Sequence, residues 1–222
     1  MRQLLTVLLL TLTPIIARGD PSLLVNARAS TPSLLTDIRY AGNNNFMGRP
    51  VAGYEASLCL LSEAASMALG RAQELALNRN LSLLVYDCYR PQRAVDDFVD
   101  WVSGTAPEPT KPAYYPSLER SSLIELGYIA NQSGHSRAST VDLTLVDIAT
   151  GQPLDMGTSW DFFDPTSHTE SDEIDLGARN NRFLLREIMT ASGFRPYYAE
   201  WWHFTLIDEP YPETYFDIVI ND

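Results

Sequence analysis

The stretch STVDLTLVD, residues 139–147, constrains the fold more than any other part of the chain. Extended backbone sends successive side chains to opposite faces, so Val141, Leu143 and Leu145 fall on one side and Asp142 and Thr144 on the other. That is a sheet strand with one apolar face and one face that carries an acid. LSLLVYDCYRP, residues 81–91, reads as a second, buried strand ended by Pro91. YYAEWWHFTLI and ETYFDIVI supply aromatic and β-branched strands near the C-terminus.

Helical periodicity lies on either side of these strands. From Glu55 to Ala76, Leu58, Leu61, Ala65, Leu69 and Ala72 recur at steps of three and four and predict an amphipathic helix. QRAVDDFVDWV, residues 92–102, predicts a second helix, and ARNNRFLLREIMTASG a third that stops near Gly193. The proline-rich stretch GTAPEPTKPAYYPSLE is expected as irregular surface loop, and residues 37–54, rich in Asn, Gly and aromatics, as an ordered loop. No regular alternation of strand and helix is present, so the class is α+β.

The first residues carry Arg2, an apolar run from Leu4 to Leu12, and Ala17 and Gly19 in an A-x-G arrangement. This pattern predicts a cleavable signal peptide over residues 1–19 and one mature domain over residues 20–222, exported to the periplasm or secreted. Thr6, Thr11, Thr13 and Pro14 interrupt the run, which argues against a stable membrane anchor. The formal charge is −12, and losing Arg2 and Arg18 with the leader would make it more negative still. Nucleic acid is a poor partner for such a chain, because phosphate binding needs clustered Lys and Arg. Oligomeric state is not read from the sequence. Cys59 and Cys88 are the only cysteines. They are either two buried thiols or a bridge between a helix and a strand.

The chain has three histidines, and two of them stand near carboxylates. SGHSRASTVD places His135 seven residues before Asp142, and EWWHF places Glu200 three residues before His203. Two neutral imidazoles and one carboxylate form a donor set for a divalent metal, zinc first, with one position left for water. The retained positive charge would acidify that water. Glu200 and His203 at an odd offset would point apart on a flat strand, so serving one site requires a bend or bulge between them. Glu200 would then reach the water rather than the metal, as a general base must. The plainer readings are a solvated loop His135, a core His203 and a surface Glu200. His168 is expected in a loop or behind the ligands.

Five motifs in order, YAGNNNFMGRPVAGY, VYDCYRP, SGHSRASTVDLTL, MGTSWDFFD and EWWHF, resemble those of the VanX-type D-alanyl-D-alanine dipeptidases. These are zinc peptidases of the M15 group, which share a fold with D,D-carboxypeptidases and the hedgehog signalling domain. The resemblance covers most of the mature chain and implies a central, mainly antiparallel sheet with flanking helices. It implies one zinc per chain on His135, Asp142 and His203, with Glu200 as catalytic base and Arg90 stabilising the oxyanion. Tyr40, Ser133 and Asp161 match positions near a small D,D-dipeptide, with Asp161 and Ser133 toward its ammonium end. Read from the residues alone, Arg90 also suits a salt bridge and Asp161 a loop cap. The family often has Gly or Ala where Cys88 stands.

The activity so implied is hydrolysis of D-alanyl-D-alanine, and an exported enzyme of this kind suits recovery of D-alanine from cell-wall dipeptides. Two rivals remain at this point: a D,D- or L,D-carboxypeptidase acting on longer wall peptides, and a non-catalytic zinc-stabilised binding domain. Nucleophilic catalysis has little support, since neither cysteine is tied to a histidine and no G-x-S-x-G elbow occurs.

Overall fold

The computed structural model describes residues 15–17 and 20–222. Most of the expected leader lies outside the described residues. Its core is a five-stranded sheet built from β1 (Leu35–Thr36), β2 (Leu81–Asp87), β3 (Thr140–Asp147), β4 (Phe194–Tyr197) and β5 (Glu200–Leu206). The spatial order is β1-β2-β3-β5-β4, with β1 parallel to β2 and every other pair antiparallel. The α+β class and the mainly antiparallel sheet with flanking helices agree with the sequence reading.

Among the described residues three helices exceed a single turn: α1 (Glu63–Leu77), α2 (Gln92–Ser103) and α3 (Leu176–Ala191). Helices α1 and α3 pack on each other and on the sheet. They bury Ala65, Leu69 and Ala72 from one helix and Leu185, Ile188 and Met189 from the other. Val141, Leu143 and Leu145 of β3 are fully buried, and each such side chain contributes roughly 1.5–3 kcal/mol. Helix α2 sends Phe98 into an aromatic cluster with Tyr40 and Phe46, and Tyr40 in turn packs on Trp160. Among the described residues no helix is long and apolar enough to cross a membrane.

Helix α1 begins at Glu63, not at Glu55 as its periodicity suggested. Ser62 caps it by accepting from the Ala65 N–H, and the preceding residues have other partners. Glu55 and Ala56 donate to the Ile220 carbonyl, while Leu60–Leu61 pair with Val25–Asn26. Leu61 is buried without being helical. The proline-rich segment is likewise more ordered than expected: Lys111–Tyr114 forms one helical turn, and Tyr114 and Tyr115 are buried. The stretch from Tyr197 to Ile207 is not one strand. It contains a turn at Tyr198 and Ala199, which makes β4 and β5 a hairpin.

Cys59 and Cys88 form a disulfide with Cα atoms 5.2 Å apart and a sequence separation of 29. Closing a loop of that size stabilises a domain by about 3–4 kcal/mol in the chain-entropy account. Because α1 starts later than expected, the bridge joins the segment before α1 to the end of β2 rather than a helix to a strand.

Candidate active site

Three strands of the sheet converge on one cavity. Strand β3 offers Asp142, which pairs across the ladder with His203 of β5 and with Asp87 at the end of β2. His135 arrives from the turn that leads into β3. In that turn the Ser133 hydroxyl accepts from the His135 N–H at 3.3 Å. Gly134 is needed for the approach, since a Cβ there would lie 2.8 Å from Thr140 Oγ1.

The bulge that Glu200 and His203 required is present. Tyr197 of β4 pairs with Glu200, yet the next residue back, Pro196, pairs with Phe204, so β5 carries three residues that β4 does not match. Pro196 has no N–H to donate and suits this interrupted edge. The extra residues bring Glu200 Oε2 within 3.4 Å of His203 Nδ1.

His135, Asp142 and His203 present three donor atoms to one point. Asp142 Oδ1 lies 3.2 Å from His135 Nε2 and 3.1 Å from His203 Nδ1, and the two nitrogens are 3.3 Å apart. Tetrahedral ligation at about 2.0 Å separates neighbouring donors by about 3.3 Å, so the spacing suits a small divalent cation. Chemistry supports the fit. His135 Nδ1 sits 2.6 Å from the Cys88 carbonyl, to which it donates, leaving a lone pair on Nε2 directed at a carboxylate oxygen. Asp142 Oδ1 is buried with no hydrogen-bond partner, while Oδ2 accepts from Trp160 Nε1 at 3.2 Å. Buried acceptors facing one another need a cation between them.

Around this centre the cavity has a volume of about 230 Å³ and is lined by Tyr40, Arg90, Ser133, Asp161 and Glu200, together with the three converging residues. Every site residue named from the sequence is therefore in one place, the two cysteines forming its neighbouring disulfide. His168 is outside it, in a turn where it packs on Tyr198. Burial pushes the Glu200 carboxyl up to about 7 despite the His203 ring beside it. Asp161 is raised well above the ordinary range by burial and by the Asp142 charge, and the Tyr40 hydroxyl donates to it at 2.5 Å.

Arg90 forms the salt bridge considered for it and also lines the cavity. Its Nε and Nη2 donate to Asp87 Oδ2 at 3.0 and 2.9 Å, and its guanidinium lies over the Tyr40 ring. Asp87 was missed in the sequence reading. It is fully buried, accepts from the Tyr54 hydroxyl at 2.7 Å and stands 3.4 Å from His135 Nδ1. Its signal was an acid closing an apolar strand three residues before an arginine. Trp160, which holds the second oxygen of Asp142, was also missed, although it stands beside Asp161 in the sequence.

A family model described as D-ala-D-ala dipeptidase, of the M15 peptidases, matches residues 22–221. A D-alanyl-D-alanine dipeptidase of Enterococcus faecalis is 46% identical over 185 residues, 83% of this chain and 92% of that protein. One of Streptomyces coelicolor is 46% identical over 184 residues, 83% of this chain and 91% of its own length. One of Enterococcus faecium is 43% identical over 185 residues, with 83% and 92% covered.

Proposed function

The chain belongs to the M15 family of metal-dependent D-alanyl-D-alanine dipeptidases, and from that premise we propose that it uses one zinc ion to hydrolyse free D-alanyl-D-alanine to two molecules of D-alanine. The observation that carries the reading is the set of three donor atoms on His135, Asp142 and His203, spaced 3.1–3.3 Å apart, one of them the buried Asp142 oxygen with no hydrogen-bond partner. When bound, the cation supplies Lewis acidity to the scissile carbonyl and lowers the pKa of a water.

The chain's own residues do the rest. Glu200, its carboxyl raised to about 7 by burial, is poised near neutral pH to take the proton of the attacking water and return it to the leaving amine. Arg90, held by Asp87 at the cavity wall, stabilises negative charge that develops on the carbonyl oxygen only in the transition state. Asp161, with Tyr40 beside it, receives the substrate ammonium, which relieves a buried carboxyl of its missing counter-charge. Ser133 helps to shape that end of the cavity. A volume of about 230 Å³ falls below the roughly 300–1,000 Å³ of pockets for drug-sized ligands, which favours a dipeptide over a longer peptide.

The apolar leader supports export to the periplasm or beyond, where the enzyme would recover D-alanine from wall-derived dipeptides. N-terminal sequencing of the protein from its native host tests this, with a chain starting at Asp20 expected. The activity itself is tested by metal analysis of purified protein together with assays on D-Ala-D-Ala and on a wall pentapeptide, with and without chelator. One zinc per chain and chelator-sensitive cleavage of the dipeptide alone are expected. Preference for the pentapeptide would overturn the substrate, and full activity in a metal-free preparation would overturn the zinc.

A further inference from the structure

We infer that the Cys59–Cys88 disulfide is a positioning device for the metal site, because it holds the Cys88 carbonyl against His135 Nδ1 and so fixes the imidazole that directs Nε2 at the cation. The inference rests on the metal-site reading above.

The ladder between β2 and β3 ends where Asp87 meets Asp142, so Cys88 and the residues after it lie beyond the sheet's own support. Yet these residues make the contacts that set His135. Cys88 offers its carbonyl to Nδ1 at 2.6 Å, Asp87 Oδ2 stands 3.4 Å from the same nitrogen, and the Arg90 N–H donates to the His135 carbonyl at 3.4 Å. A displacement of the chain at residue 88 therefore disturbs both neighbours of Nδ1. The tautomer and tilt of a ligating imidazole follow from the partner of its other nitrogen.

Cys59 is what residue 88 is fastened to, and Cys59 is itself anchored. Its carbonyl accepts from the Ala27 N–H at 2.9 Å, and the next two residues pair with Val25–Asn26. Leu60 adds one hydrogen bond to the same junction, accepting from the Tyr89 N–H at 2.9 Å. Both cysteines are almost fully buried. Without the bond, two thiols would have to separate to van der Waals contact, on the order of 3.5–4 Å between heavy atoms. A close-packed interior passes such a movement to the backbone. The nearest backbone acceptor that it reaches is the one holding His135.

The test compares four zinc-loaded proteins at a temperature well below their melting transitions. These are wild type, the Cys59→Ala/Cys88→Ala double variant, wild type reduced in mild denaturant and refolded with excess thiol, and a Leu185→Ala control that is destabilised away from the site. Zinc affinity is read by competition with a chromophoric chelator, folding by circular dichroism, and the His135 Nδ1–H proton by NMR. The double variant and the reduced protein should bind zinc about tenfold or more weakly than the control, a loss typical of outer-shell partners. Their Nδ1–H signal should broaden or shift, and reoxidation should restore both readouts. Should the double variant not fold, Cys59→Ala, which leaves residue 88 unchanged, takes its place. Affinities within about twofold of the Leu185→Ala control would overturn the inference and leave only a covalent staple. If wild type itself binds no zinc, the metal-site reading fails first and the inference falls with it.

Discussion

The two faces of β3 are equally buried and opposite in what they demand. Val141, Leu143 and Leu145 project into the core from one side with no accessible surface, and Thr140, Asp142 and Thr144 are almost as inaccessible on the other. On the aliphatic face the stabilisation is non-directional, so volume and shape matter more than the position of any one atom. On the polar face Asp142 and Thr140 have directional assignments, Asp142 Oδ1 toward the candidate metal site, Asp142 Oδ2 to Trp160 and Thr140 Oγ1 to Thr205 at 2.9 Å, while Thr144 Oγ1 has none. Equal burial thus conceals unequal tolerance, because a misplaced methyl loses contacts whereas a misplaced charge stands alone in a low-dielectric interior.

Substitutions can break or sharpen this contrast. The largest effect is expected from His203→Ala, which should abolish zinc retention and dipeptide turnover together, as seen by metal analysis and by D-alanine release. Next comes Glu200→Ala, which should lower kcat by about 10²–10⁴-fold, the usual contribution of a general base, while leaving one zinc per chain. Loss of zinc in that variant would mean that Glu200 belongs to the metal and not to the water. On the aliphatic face, Leu143→Ala should cost about 2–5 kcal/mol in urea unfolding while KM and zinc content stay near wild type.

Two smaller effects calibrate the comparison. Thr144 Oγ1 is buried with no hydrogen-bond partner. Thr144→Val should therefore be neutral or stabilising by about 1 kcal/mol, and a clear destabilisation would reveal a hidden partner for that hydroxyl. At the surface, Asp97 accepts from Arg49 at 2.7 and 2.9 Å and from the Ala52 N–H at 3.0 Å. Partial burial opposes its charge, but these donors hold the carboxyl below its ordinary value of 3.8. A depressed folded pKa stabilises the native state above the unfolded value, and the gain fades as pH falls through 3.8 and below. Asp97→Asn should thus lower stability by no more than about 1 kcal/mol at pH 7 and converge with wild type in acid, as measured by melting at both pH values.

What could be read from the sequence followed the same division. Alternation in STVDLTLVD set Val141, Leu143 and Leu145 on one face and Asp142 and Thr144 on the other, because a period of two is fixed by backbone geometry. The convergence of His135, Asp142 and His203 was legible as a donor set, and the ordered motifs supplied the pairing that spacing alone does not. Helix α1 was begun too early, since Leu58 and Leu61 mimic a helical repeat while serving the Leu60–Leu61 bridge and the disulfide region. Asp87 and Trp160 escaped notice for a different reason. Their roles are set by partners that are distant in sequence, and an Asp at a strand end or a Trp in a loop carries no local mark of what it will hold.

The unmatched residues of β5 have a consequence for how this enzyme can vary. Since Trp201, Trp202 and His203 have no counterparts on β4, the distance from proton acceptor to ligand is set within one short run of backbone. Lengthening the Tyr198–Ala199 turn, or trimming the outer hairpin, would leave that interval intact. Deleting a single tryptophan would remove part of the bulge itself and shift Glu200 relative to His203. Substrate access can thus be remodelled at the rim by insertions, while the interval between Glu200 and His203 admits no change in residue number.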